Sequence, residues 1–261
     1  MSPWEKLLER PHSRGHVVQL YEPADELWLA ANVSRYVWEG LKRGDGALVV
    51  TTPTHRELFC EQLTRLGADP QSAIRSGQLG FLDAWETLSR CLVGPQPNWG
   101  PFERVIGAAI RLRWPRKAGA RVRVYGEMVG LLWKAGQFAA ANRLEQLWNR
   151  LLAQSSFSLY CAYEIDIFGK DFYASSVNAI LRAHTHMIPA QPDRNLEAAL
   201  YRAMDEVLSA GAEDLKARVG SRHHRSWALM PNAEIIVLGL REYLPSQAED
   251  ILVRARRHCL Q

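Results

Sequence analysis

No G-x-x-x-x-G-K-[ST] segment occurs in this 261-residue chain, so the loop whose amides and lysine cradle phosphates is missing. G-x-S-x-G is also absent, which removes the strained serine elbow of one large hydrolase class. The four cysteines, Cys60, Cys91, Cys161 and Cys259, form no C-x-x-C pair. That argues against a zinc knuckle, and a chain of this length with a normal core needs no disulfide framework. The first residues, MSPWEKLLERPHSRG, contain no apolar h-region, and no apolar stretch reaches about 18 residues. Both point to a cytoplasmic chain with reduced thiols and no membrane span. Runs of five like charges are absent too. A net charge of +4 and a pI near 8.9 are a mild excess that demands neither nucleic acid nor an anionic surface. The Arg-rich stretches at 111–117 and 254–257 read as solvated helix ends.

What is present is an alternation of strand and helix. Hydrophobic content is 47%, enough for one large core, or one core with an appendage. Val17 to Tyr21 is a short apolar run fit for a buried strand. Leu27, Ala31, Ser34, Val37 and Leu41 recur at helical spacing over 24–43, and Gly44 and Gly46 stop that helix. Residues 47–52 are almost continuously apolar, as in a strand covered on both faces. Thr54 is expected to cap a helix over 55–66. Strands follow at 78–83, 121–126 and 157–163, and helices at 102–113, 137–153 and 172–184. Residues 188–192 read as a linker. Helices are expected at 193–219, 233–243 and 246–259, with a break at 220–231 containing His223 and His224. Hairpin turns of the Asn-Gly type are missing. The pattern therefore predicts an α/β fold: three layers, with a mainly parallel sheet flanked by helices and a C-terminal helical appendage. The expected organisation is a leading helix and linker over 1–15, an α/β domain over 16–188 and a helical region over 193–261.

In sheets of this type ligands sit at the carboxyl ends of strands. That rule selects Tyr21 and Glu22, Thr52 and His55, Trp85, Tyr125 and Glu127, and Tyr163. Polar and aromatic groups recur at each of these ends, so a cavity lined by them is expected there, and Trp133 is a further candidate for an apolar wall. The loop after the first strand, 21–27, has no glycine, no lysine and three carboxylates, Glu22, Asp25 and Glu26. Carboxylates repel phosphate, and Pro23 removes an amide donor. An aromatic beside an acid suits an amphipathic or cationic ligand. The competing local reading makes Asp25 a helix cap and Glu127 a structural partner of Arg121 or Arg123. His16, His55 and an acid could share a metal, but lone histidines are more often ordinary hydrogen-bonding groups, so no metal and no cofactor is assigned. The 184–186 and 223–224 histidines suit surface loops, and Cys161, inside an apolar strand, reads as inert core.

The order of strand, loop, long helix, turn, strand and helix over 16–69 resembles the opening of a RecA-type nucleoside triphosphatase whose phosphate site has been rewritten. More closely, the chain resembles the MEDS family, the sensory domain of methanogens and methylotrophs. The residues that carry this are the His16 strand, Leu20-Tyr21-Glu22, Gly40-Leu41-x-x-Gly44, Val50-Thr51-Thr52, His55 and Leu66-Gly67-Ala68-Asp69. Tyr125-Gly126-Glu127-Met128 and Leu144-Glu145-x-x-Trp148-Asn149-x-Leu151 complete the set over about 14–186. The resemblance implies a RecA/KaiC relative without the phosphate loop that senses a small organic molecule; the missing Gly and Lys between Leu20 and Leu27 argue separately against nucleotide hydrolysis. It also implies a regulatory protein partner. A nucleotide-binding protein with an altered phosphate site, and a scaffold whose pocket is filled by its own side chains, are the alternatives. From residue 193 to 257 ten basic residues balance ten acidic ones, which disfavours a DNA-binding face. The apolar stripes there (Leu196, Leu200, Met204 and Leu208; Ile236, Leu240, Tyr243 and Leu244; Ile251, Leu252 and Ala255) need covering by the α/β domain or by a second chain as a homodimer.

Overall fold

A computed structural model describes residues 3–115, 117–191, 193–208, 213, 217 and 229–259. The elements in chain order begin with α1 (Pro3–Glu9), β1 (His16–Tyr21), a 3₁₀ turn (Pro23–Asp25), α2 (Glu26–Arg43), β2 (Gly46–Thr51), α3 (Pro53–Arg65), α4 (Pro70–Arg75), β3 (Leu79–Asp83) and α5 (Ala84–Cys91). A two-residue ladder, β4 (Leu92–Val93) with β5 (Gln96–Pro97), then α6 (Trp99–Phe102), a π-helical stretch (Glu103–Gly107) and α7 (Ala108–Leu112) follow. Next come β6 (Val122–Gly126), α8 (Met128–Lys134), α9 (Phe138–Gln154), β7 (Phe157–Glu164), α10 (Ala174–Ala183), β8 (His186–Ile188), α11 (Asp193–Val207), α12 (Asn232–Tyr243) and α13 (Ala248–Cys259).

Among the described residues, six strands make one parallel sheet in the order β3-β2-β6-β7-β1-β8, with helices on both faces. β2 lies between β3 and β6, with Thr51 opposite Asp83 and Val50 opposite Gly126. Every residue of β2 and of β6 is buried; β2 accordingly reads as a nearly continuous apolar run, while β6 carries one charged residue, Arg123. Each buried valine or leucine contributes about 1.5–3 kcal/mol of transfer free energy.

By packing, the chain divides into two compact units: residues 1–18 with 26–163, and residues 19–25 with 164–261. In the first, α2 ends at Gly44, whose φ of +85° is the left-handed conformation that stops a helix most cheaply with glycine. Arg123, 3% exposed, pairs with Asp45 at 3.0 Å and donates to the carbonyls of Leu8, Glu9 and Tyr36. A buried guanidinium is tolerable only when its donors are satisfied in this way. Four residues of strand span about 13 Å, so Arg123, near the amino end of β6, takes Asp45 as its partner and not Glu127. In the second unit, α11 packs against α13 and α12. Leu196, Leu200 and Met204 are buried there, as are Ile236, Leu240, Ile251, Leu252 and Ala255.

Several local expectations are corrected. Thr52, not Thr54, caps α3, because Pro53 suits the first helical position, where its missing N–H costs nothing. α4 and α8 are additional helices, each of two turns or fewer and so too short for an apolar spacing to recur. Residues 188–192, which read as a linker, begin with the end of a strand, β8, whose Met187 amide donates to the Leu229 carbonyl at 2.8 Å. His184 is buried, with Nδ1 2.7 Å from the Ile180 carbonyl, so it is no surface-loop residue. The 223–224 histidines lie outside the described residues.

Candidate functional site

β2 and β6 are neighbours, so the residues that follow them meet. Thr52 follows β2 and Glu127 follows β6. The Thr52 amide donates to Glu127 Oε1. His55, one turn into α3, brings Nδ1 to 2.7 Å from Oε2, and the Tyr125 hydroxyl donates to the same oxygen at 3.0 Å. His55 Nε2 lies 3.8 Å from Glu26 Oε1 at the start of α2. Phe59 closes the cluster, 5.6 Å from the His55 ring and 5.3 Å from the Tyr125 ring. His55, Tyr125 and Glu127 are all buried. Burial pushes the Glu127 carboxyl up, but the His55 hydrogen bond and charge and the Thr52 donors outweigh it and hold it below the ordinary value. The result is an ionised carboxylate clamped by a backbone amide, a histidine and a phenol. Its acceptor sites are engaged by the protein.

Beside this clamp, at the carboxyl ends of β2 and β3, a cleft of about 390 Å³ is lined by Thr51, Pro53, Arg56, Glu57, Cys60 and Asp83, among others. The Arg56 guanidinium lies 5.1 Å over the Phe81 ring. Asp83 accepts from the Glu86 amide and so caps α5. A second cavity, about 440 Å³, opens near the amino ends of β2, β6 and β7 among Arg10, Arg43, Asp45, Lys117, Arg121 and Arg123.

Tyr163 goes elsewhere in this unit. Its hydroxyl donates to Glu145 Oε1 at 2.5 Å. Glu145 lies on the buried face of α9 and sits with His16 and Cys161. His16 Nε2 is 3.3 Å from Cys161 Sγ and 3.5 Å from Glu145 Oε2, while Nδ1 meets Asn149 Oδ1 at 3.0 Å. Burial drives the Glu145 carboxyl up to about 8, and the Tyr163 hydrogen bond only moderates it. Burial also pushes the Cys161 thiol far up. The two histidines take separate acids, His55 with Glu127 and His16 with Glu145, so they and one acid do not form a common site. The signal for the second cluster was present in the sequence. Glu145 falls on the apolar stripe Ala141, Leu144, Trp148 and Leu152, and Cys161 and Tyr163 are two apart on one strand face.

Trp85 is 54% exposed, on the flank of the face of α5 that buries Ala84, Thr87, Leu88 and Cys91. Trp133 packs edge-on against Phe138 and Tyr163. In the second unit Tyr21 is buried at the end of β1. Glu22 accepts from Arg256 at 2.5 Å and from Gln191 at 3.2 Å, and Arg256 also pairs with Asp166 at 2.8 Å. Asp25 accepts from Gln191 at 2.9 Å. Burial, with the neighbouring Asp166 and Asp25, raises the Glu22 carboxyl despite Arg256. The acidic loop therefore meets side chains of its own unit.

The profile of the MEthanogen/methylotroph, DcmR Sensory domain matches residues 15–185, well over half of the chain. The protein belongs to the MEDS family. No curated protein matches it. MEDS is a sensory domain family, and the clamp, the cleft and the Glu145 cluster all fall inside the matched residues. No helix among the described residues is long and apolar enough to cross a membrane.

Proposed function

We propose that this MEDS protein is a non-enzymatic cytoplasmic sensor. A small organic ligand occupies the cleft at the ends of β2 and β3, and its occupancy is passed to a regulatory protein partner. The observation that carries the reading is the sharing of one turn by cleft and clamp. Thr51 and Pro53 line the cleft, while Thr52 between them donates to buried Glu127. A ligand against Arg56 and Thr51 bears directly on the start of α3, and differential contact with two arrangements of that turn is what a signal requires. The cleft offers one cation, Arg56, among the carboxylates Glu57 and Asp83, which suits a small polar molecule better than a triphosphate.

A thermal-shift screen with small organics, ATP, GTP and cyclic dinucleotides tests this, since a ligand of the native state raises apparent stability by mass action. Cys60 supplies a local probe. It is half-buried in the cleft wall, and burial raises its thiol. A stabilising organic ligand is expected to slow Cys60 alkylation at least several-fold. Stabilisation by nucleotides alone would instead support an altered nucleotide site. The saturated Glu127 carboxylate favours the second reading, a self-filled scaffold, for which no compound shifts the melting temperature.

A further inference from the structure

We propose that His16, Glu145 and Cys161 bind one zinc-class divalent ion in the interior of the first unit. The argument begins with distances. A tetrahedral zinc with Zn–S of about 2.3 Å and Zn–N and Zn–O of about 2.0–2.2 Å sets its ligand atoms about 3.3–3.6 Å apart. His16 Nε2 stands 3.3 Å from Cys161 Sγ and 3.5 Å from Glu145 Oε2. The three ligand atoms all lie within 4.8 Å of one another. Little movement is needed to place an ion between them.

The surroundings are built as metal sites are built. A ligating histidine usually gives its other ring N–H to an oxygen acceptor, which fixes the tautomer, and a ligating carboxylate is itself hydrogen-bonded. His16 Nδ1 meets Asn149 Oδ1 at 3.0 Å, leaving Nε2 toward the sulfur and the carboxylate. Tyr163 holds the other carboxylate oxygen at 2.5 Å. These parts come from three elements: His16 opens β1, Glu145 and Asn149 stand four apart on one face of α9, and Cys161 and Tyr163 stand two apart on β7.

Charge agrees with geometry. The ligating forms of Cys161 and Glu145 are a thiolate and a carboxylate. Two negative charges then balance the ion, with neutral imidazole as third ligand. All three residues are at most 2% exposed, and a neutral complex is what so dry an interior accepts. The donor set of nitrogen, sulfur and one oxygen selects a borderline metal and disfavours calcium or magnesium, which want oxygen shells.

The test uses the full chain, expressed with zinc and purified under reducing conditions, its metal counted by mass spectrometry and its cobalt(II) form read by absorption. About one ion per chain is expected, with a thiolate-to-cobalt charge-transfer band that Cys259→Ser leaves intact. Cys161→Ser should abolish the band, Glu145→Gln should cut metal retention at least ~10-fold, and Asn149→Ala should weaken binding about 10–100-fold. A folded chain that takes up no metal, or a band undiminished in Cys161→Ser, overturns the proposal. Should Cys161→Ser fail to fold, X-ray absorption of the zinc-loaded wild type decides: one sulfur in the shell supports the site, and a sulfur-free shell overturns it.

Discussion

Two buried glutamates of the first unit have nearly the same neighbours and opposite chemistry. Glu127 meets His55, the Tyr125 hydroxyl and the Thr52 amide. Glu145 meets His16 and the Tyr163 hydroxyl. Both are at most 3% exposed. Yet Glu127 is held below its ordinary value, and Glu145 is driven up to about 8. The difference lies in donors. His55 approaches to 2.7 Å, against 3.5 Å for His16, and the Thr52 amide adds a backbone donor to Glu127. Close donors outweigh desolvation at Glu127, whereas the Tyr163 phenol only moderates it at Glu145. The first arrangement is a latch that holds a charge already present. The second keeps its carboxyl in the protonated form, beside a thiol and an imidazole.

The largest effect should come from removing the charged acceptor. Glu127→Ala strands three buried donors and is expected to cost about 3–5 kcal/mol, read from the urea midpoint at unchanged m-value. In chelator-treated protein, Glu145→Gln should cost less than about 1 kcal/mol near pH 6, because the amide replaces a carboxyl that is already neutral. Equal costs for Glu127→Gln and Glu145→Gln would break the comparison.

Acidity should separate the two by sign. Folding favours the ionised form of Glu127, so its contribution is complete above the unfolded carboxylate range near 4.5 and is lost as pH falls toward its own lower value. Folding favours the protonated form of Glu145. Its contribution is complete below about 4.5 and is lost as pH rises to about 8. In metal-free protein, Glu127→Gln should flatten the acid limb of the stability profile, and Glu145→Gln should flatten the decline between pH 5 and 8. Parallel profiles for wild type and both variants would refute the assignment. The smallest effect belongs where neither glutamate is touched: exposed Trp85→Ala is expected to stay within about 0.5 kcal/mol, and a larger loss of melting temperature would show that this ring is packed.

Much of this was legible from residue order. Continuous apolar strands gave the parallel sheet, and the rule of strand ends picked out Thr52, His55, Tyr125 and Glu127, which do meet. Tyr163 was expected with them and instead joins Glu145, because side chains alternate along β7 and the two faces of a sheet serve different neighbours. Trp85 stands in solvent because it lies beside the stripe of Ala84, Thr87, Leu88 and Cys91 that α5 turns to the core. β8 and α4 were missed because three to six residues carry too little period to distinguish them from loop.

Composition and pattern therefore determine the α/β class, the absence of the G-x-x-x-x-G-K-[ST] motif and the family, since these depend on local preference and on the order of elements. Only the tertiary structure decides which histidine serves which acid. Glu127 and His55 are 72 positions apart, and His16 and Cys161 are 145 apart. Such pairings, and the protonation states that follow from them, are fixed by strand order and by exclusion of water, neither of which any local stretch of sequence contains.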